Sequence, residues 1–320
     1  MHMSARNATW IVLAAAAAVC SGSAPAWSGP WIPAPGEYYS EVAAGLFSAD
    51  TYHDSRSHRS ALALGGVEET RSLRSYNEIG WKKGASVILG IPAASVTRRS
   101  ARGEVSRTET GLADIQLGLR IKMADGPSAA ALELDYFAPA GYSRKYLLTR
   151  SQIAWADTTL CRGLAEADSA NCVRQMAPPR LGSGQQELVA AIHWGMALRK
   201  WNGFVQLSHG YRHRGKELAG QALFSADLGF WLRPSLLVAG RYLGAMDVGR
   251  GLTRADDVEE HLAGPVVIYR LDEHLDVFAS SLHTAIARNA LHADRFFVGF
   301  AFKQTGLNRL QGYLGGTRRP

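Results

Sequence analysis

The sequence of 320 residues predicts an all-β fold, a transmembrane antiparallel β-barrel of about twelve strands. Three observations predict it. The chain opens with an export leader. Past that leader, apolar and polar side chains alternate in segments of about ten residues. Short and long connections succeed one another between those segments.

The leader comes first. Met1 to Trp10 holds Arg6 and no acid, Ile11 to Val19 is an unbroken apolar run, and Ala24-Pro25-Ala26 supplies the small-x-small pattern of a signal-peptidase site. The run is far shorter than the roughly 20 apolar residues of a spanning helix. Residues 1–26 are therefore expected to be a signal peptide, 27–303 the barrel, and 304–320 a polar, basic tail. Cys20 does not fit a lipidation site, because Val19 stands where a small residue belongs.

The clearest strand is Leu112 to Met123. Ala113, Ile115, Leu117, Leu119 and Ile121 fall on one face, and Asp114, Gln116, Gly118, Arg120 and Lys122 on the other. Asp125-Gly126-Pro127 then turns the chain. The return strand sets Ala130, Leu132, Leu134 and Tyr136 against Ala131, Glu133 and Asp135. Leu188 to Leu198, Ala222 to Phe230 and Phe296 to Lys303 repeat the pattern. Weaker segments lie at 37–47, 72–81, 85–96, 203–212, 236–243, 262–269 and 276–283. The total is an even number, as a single-chain bacterial barrel requires. The connections at 82–84, 125–127, 199–202, 232–235 and 271–274 are short; those at 48–70, 98–110, 143–184, 245–259 and 285–293 are long. A barrel with periplasmic turns and external loops has this rhythm, and a soluble sandwich has no reason to keep it.

Cys161 and Cys172 remain after export, in the longest predicted loop. An even pair in an oxidising compartment is expected to form a disulfide. Two thiolates without a neighbouring histidine do not complete a metal site. The formal charge of +7 falls to +6 when Arg6 leaves with the leader (+7 − 1). The basic residues are scattered, with no block interleaved with aromatics, so nucleic acid is not an expected partner. No cofactor is expected either.

Two stretches resemble a known family. Trp31-Ile-Pro-Ala-Pro-Gly-Glu-Tyr-Tyr39 with Phe47-Ser-Ala-Asp-Thr-Tyr-His-Asp54 is one, and Thr110-Gly-Leu-Ala-Asp-Ile-Gln-Leu-Gly-Leu-Arg120 is the other. They are similar to the outer-membrane, transporter-like barrels named for the meta-pathway of phenol degradation. Ala113 stands where that family has a second glycine. The resemblance covers the first half of the chain. It implies a passive channel in the bacterial outer membrane for small organic solutes. Some relatives are encoded beside exopolysaccharide genes, which implies the alternative of an accessory in polysaccharide export or surface adhesion.

The pore-lining candidates are Asp114, Gln116, Arg120, Lys122, Glu133, Asp135, His193 and Asp227, with Arg212 and Arg241 beside them. Opposite charges on neighbouring strands can set selectivity or simply pair off. Tyr38, Tyr39, Trp81, Tyr136, Trp194, Trp231, Tyr242 and Tyr269 are the expected interface aromatics. His209 and His213 would lie about 13 Å apart on a strand, too far for one metal ion. The chain is read as a non-enzyme. The competing reading is an outer-membrane hydrolase: Ser281 and His283 share a face, as do Ser225 and Asp227, but no G-x-S-x-G elbow occurs, and Ser208 faces away from its neighbour His209.

Overall fold

The computed structural model describes residues 29–54, 56–62, 65–99, 106–140, 142, 181–215, 219–249 and 258–303. Its strands are β1 (Tyr38–His53), β2 (Arg59–Ala61), β3 (Val67–Lys82), β4 (Ala85–Arg99), β5 (Ser106–Leu112), β6 (Asp114–Ala124), β7 (Ser128–Pro139), β8 (Glu187–Leu198), β9 (Gly203–Arg214), β10 (Gly220–Arg233), β11 (Leu236–Val248), β12 (Glu259–Arg270), β13 (Leu275–Arg288) and β14 (Ala290–Lys303). Each wall strand pairs antiparallel with its neighbours, and β14 pairs back onto β1 from Tyr39↔Lys303 to His53↔Ala290. The sheet is therefore closed. Twelve strands make the wall, because β5 and β6 form one interrupted strand beside β4 and the short β2 only continues β3's place beside the upper end of β1. The signal peptide, the Cys161–Cys172 pair and the 304–320 tail lie outside the described residues.

The alternation in sequence becomes two faces. Ile79, Leu117, Leu134, Ile192 and Phe300 point outward and are exposed, while Glu78, Arg120, Glu133 and His193 point inward and are buried. An outward apolar band on a closed barrel has no unpaired sheet edge and can be wetted by lipid. The protein is a bacterial outer-membrane barrel. Tyr38, Trp81, Tyr242 and Tyr269 are exposed on that surface. Two expected interface aromatics are not. Tyr39 and Trp231 are buried: Tyr39 donates to Glu41, and Trp231 lies under Arg270. Both occupy inward parity, so proximity to a strand end was a poor guide.

The five short connections lie together at one end. At one of them Gly84 takes φ +80, a conformation that glycine adopts without steric cost. At the other end the strands overrun the bilayer. β3 has 16 residues, more than the roughly 9–11 that a tilted spanning strand needs. The excess carries charge, with Glu68 and Glu69 on β3 bonded to Arg98 and Arg99 on β4. In the β1–β2 turn Asp54 accepts the backbone N–H of Arg56 at 2.7 Å and of His58 at 2.9 Å. Slight burial raises its pKa, but these donors outweigh that and hold it below the ordinary value.

Two local departures have clear causes. Pro92 in β4 has no N–H to give, and the ladder beside it shifts by one residue at Ala113, whose own N–H still reaches the Pro92 carbonyl at 3.0 Å. The shift turns Ala113 inward, where it packs with Ala94, Val96 and Leu181 rather than facing lipid with Ile115 and Leu117. The expected loop at 285–293 is the second. Only Asn289 (φ 51) separates β13 from β14 there. The β13–β14 register ends at His283↔Asp294; above it the two strands pair with β12 and β1 instead.

Candidate functional site

The interior has two unlike sides. One is ionic and is built by β1, β3, β6, β7 and β8. β6 sets Arg120 directly opposite Glu133 on β7. Arg120 is fully buried. Its Nε donates to Glu133 Oε2 at 2.7 Å, its Nη2 donates to the same carboxylate, and its Nη1 donates to Glu78 Oε2 at 2.6 Å. Ser86 and Tyr76 donate to Glu78 at 2.6 and 3.3 Å. His193 Nε2 lies 3.3 Å from Glu133 Oε2. Gln116 donates to Asp135 at 3.0 Å. Deeper around the wall, Arg74 reaches Glu41 at 2.6 Å. Charges removed from water need such partners, since an isolated buried ion costs several kcal/mol.

The other side is apolar. Phe204 on β9, Leu237 and Ala239 on β11, Val266 and Ile268 on β12 and Phe278 on β13 form one buried cluster, which also takes in Trp231. Ionic contacts interrupt this side: Arg241 grips Asp227, its register partner, at 2.7 and 3.1 Å, and the buried Asp276 on β13 accepts from Lys303 and lies 3.5 Å from Arg270, whose guanidinium sits over Trp231.

Between the two sides lies the segment before β1. Gly36 N–H donates to the Gly80 carbonyl at 2.9 Å, and the chain then turns into the barrel from the short-turn end. Ile32 is buried there. Trp31 packs against the apolar cluster, and a Cβ built on Gly195 would come within 2.6 Å of its ring. Gly29 faces the ionic side, where Arg120 Nη1 lies 3.5 Å from its carbonyl oxygen. The segment thus touches both walls and occupies the space between them.

The structure brings Gln116, Arg120, Glu133, Asp135 and His193 into this one region. It leaves the other five sequence candidates, Asp114, Lys122, Asp227, Arg241 and Arg212, elsewhere. Asp114 sits toward the long loops, where it accepts from Ser183 N–H at 3.0 Å and from the Tyr142 hydroxyl. Lys122 bonds to Asp125 at 2.8 Å in the short turn. Asp227 is on the opposite wall with Arg241. Arg212 lies 3.6 Å from Glu187 near the long-loop rim. His209 and His213 are exposed on β9, and His209 stacks beside Phe224 at 4.8 Å. Sequence reasoning missed Glu41, Arg74 and Glu78, although each has inward parity in a strand it recognised. It also missed the lumen role of Trp31 and Ile32; the signal was an apolar run broken by Pro30, Pro33 and Pro35, which wants burial but cannot join a ladder. Among the described residues no group of three or more His, Cys, Asp and Glu is placed to hold a metal ion.

No protein-family model matches the chain, and no curated protein matches it. Solved structures do resemble it. An outer-membrane channel from Pseudomonas putida F1 superposes over 89% of this chain and 99% of its own, with TM-score 0.59 and 11% identity. The NanC porin covers 82% of this chain and 99% of its own at TM-score 0.45 and 9% identity. The β domain of the Bordetella autotransporter BrkA covers 82% and 99% at 0.47 and 11%. At these identities the likeness is one of fold.

Proposed function

We propose that this chain is a passive conduit across the outer membrane for small organic solutes, entered in its mature form after removal of residues 1–26. The observation that carries the reading is the two-sided interior. A solute with an apolar body and a polar end finds Phe204, Ile268 and Phe278 on one side and the Arg120, Glu133, His193 group on the other. Twelve strands fall between the roughly eight of a filled barrel and the 16–18 of an open porin. Such a lumen is narrow enough that one short segment can stop it. Residues 29–35 lie in the path, so passage requires them to shift.

The test is single-channel recording. Purified full-length protein in a planar bilayer is expected to give small conductance steps, and a variant lacking residues 29–35 is expected to give steps at least several-fold larger. Silence from both at all voltages would overturn the conduit. Equal conductance in the two would leave the segment no part in it. Glu133→Gln is expected to lower the preference for cations over anions in the shortened variant, read from the reversal potential in a salt gradient.

A further inference from the structure

An unassigned cluster lies on the outer face of the wall. Ser281 and His283 are two residues apart on β13, so their side chains leave the same side of the strand. Asp294 on β14 is the register partner of His283 and joins them there. His283 Nδ1 lies 2.7 Å from Asp294 Oδ1, and Ser281 Oγ lies 3.2 Å from His283 Nε2. When Nδ1–H donates to Asp294, Nε2 keeps its lone pair, and the Ser281 hydroxyl donates to it. That is the order of contacts that activates a serine: hydroxyl, imidazole base, and a carboxylate fixing the tautomer. A plain surface ion pair would need only His283 and Asp294. It gives no reason for a hydroxyl at the other ring nitrogen.

We propose that Ser281, His283 and Asp294 make a serine esterase site on the lipid-facing surface, acting on the acyl esters of membrane lipids. The position selects that substrate. His283 and Asp294 form the last registered rung of β13–β14, and Ser281 stands two rungs before it. Below them β14 presents Phe296, Val298 and Phe300 to the bilayer, all exposed. Phe296 is the partner of Ser281 on one side and of Leu46 on the other. An acyl chain lying on this apolar strip brings its ester to Ser281 and its headgroup toward the long loops. The side chains of His283 and Asp294 are 58% and 74% exposed, so a lipid reaches them without any opening of the barrel. The backbone behind the nucleophile is closely held: a Cβ on Gly264 of β12 would fall 1.8 Å from the Ser281 carbonyl oxygen.

In the reaction, Ser281 Oγ adds to the ester carbonyl carbon and its proton passes to His283 Nε2. Collapse of the tetrahedral adduct breaks the carbon–oxygen bond to the alcohol, which leaves with that proton as a lysolipid. Water then adds to the acyl-Ser281 ester and gives a proton to His283. Collapse frees the fatty acid, and the proton returns to Ser281 Oγ. Asp294 touches no reacting atom and serves as the positioning residue.

The experiment uses full-length protein in mixed micelles of detergent and dioleoyl phosphatidylethanolamine, with released oleate as the readout. The unaltered protein is expected to release oleate. Ser281→Ala and His283→Ala are expected to fall to background. Asp294→Asn is expected to lower kcat by about 10²–10⁴-fold with little change in KM, because the wrong tautomer is favoured. A fluorophosphonate probe is expected to label Ser281 in the unaltered protein, located by peptide mass, and not to label the His283→Ala variant. All three side chains are on the surface, and unheated fast migration on gels checks that each variant is folded. No oleate from the unaltered protein, or undiminished release from folded Ser281→Ala, would overturn the proposal.

Discussion

The two sides of the lumen solve the same problem by opposite means. β11 to β13 fill inward positions with Leu237, Val266, Ile268 and Phe278, side chains that packing alone satisfies. β3, β6 and β7 place Glu78, Arg120 and Glu133 inward, and every charge there depends on another. The apolar side is a sum of many small terms, each tolerant of small change. The ionic side is a network in which removing one member exposes the rest. The segment before β1 uses both: an indole against the packed side and a peptide carbonyl toward the guanidinium of the other.

This contrast can be broken by substitution. Arg120→Leu should have the largest effect, because it leaves Glu78 and Glu133 buried without their cation. A loss of about 3–5 kcal/mol is expected. The shift in urea midpoint between folded and unfolded gel bands measures it, and a loss near zero would mean that water already reaches that side. Ile268→Val on the packed side should cost only about 0.5–1.5 kcal/mol by the same assay. A larger loss there would show the packed side to be the more brittle one. The baseline comes from the rim, where Glu69→Gln breaks an exposed pair with Arg99 and should cost about 0.2–1 kcal/mol.

Much of this architecture was legible in the residues. All twelve wall strands correspond to alternating segments, because a closed single-layer sheet forces strict period two wherever lipid lies on one side and the lumen on the other. The ends were less legible. β1 runs to His53 and β3 starts at Val67, well beyond the alternating cores, because strands standing above the bilayer no longer need an apolar face. The slip at Ala113 was hidden for a different reason: a bulge keeps the composition of the strand and changes only its parity. In the lumen, parity placed Arg120 and Glu133 on one side of their hairpin. Which charges meet across non-adjacent strands, as Arg120 meets Glu78, depends on curvature that periodicity does not encode.

The pairing of β1 with β14 joins residues from the two ends of the described chain, Tyr39 with Lys303. The cylinder therefore cannot zip shut until β14 has been made and exported. Contacts so remote in sequence form slowly and leave two bare ladders waiting meanwhile. Gly29 to Pro35 immediately precede the first of those ladders, so they must already be tucked in when the last strand arrives, or be threaded through afterwards. Biogenesis is thereby tied to the order in which the chain emerges: a circular permutant opened at Gly84 would keep every rung of the wall and lose that timing.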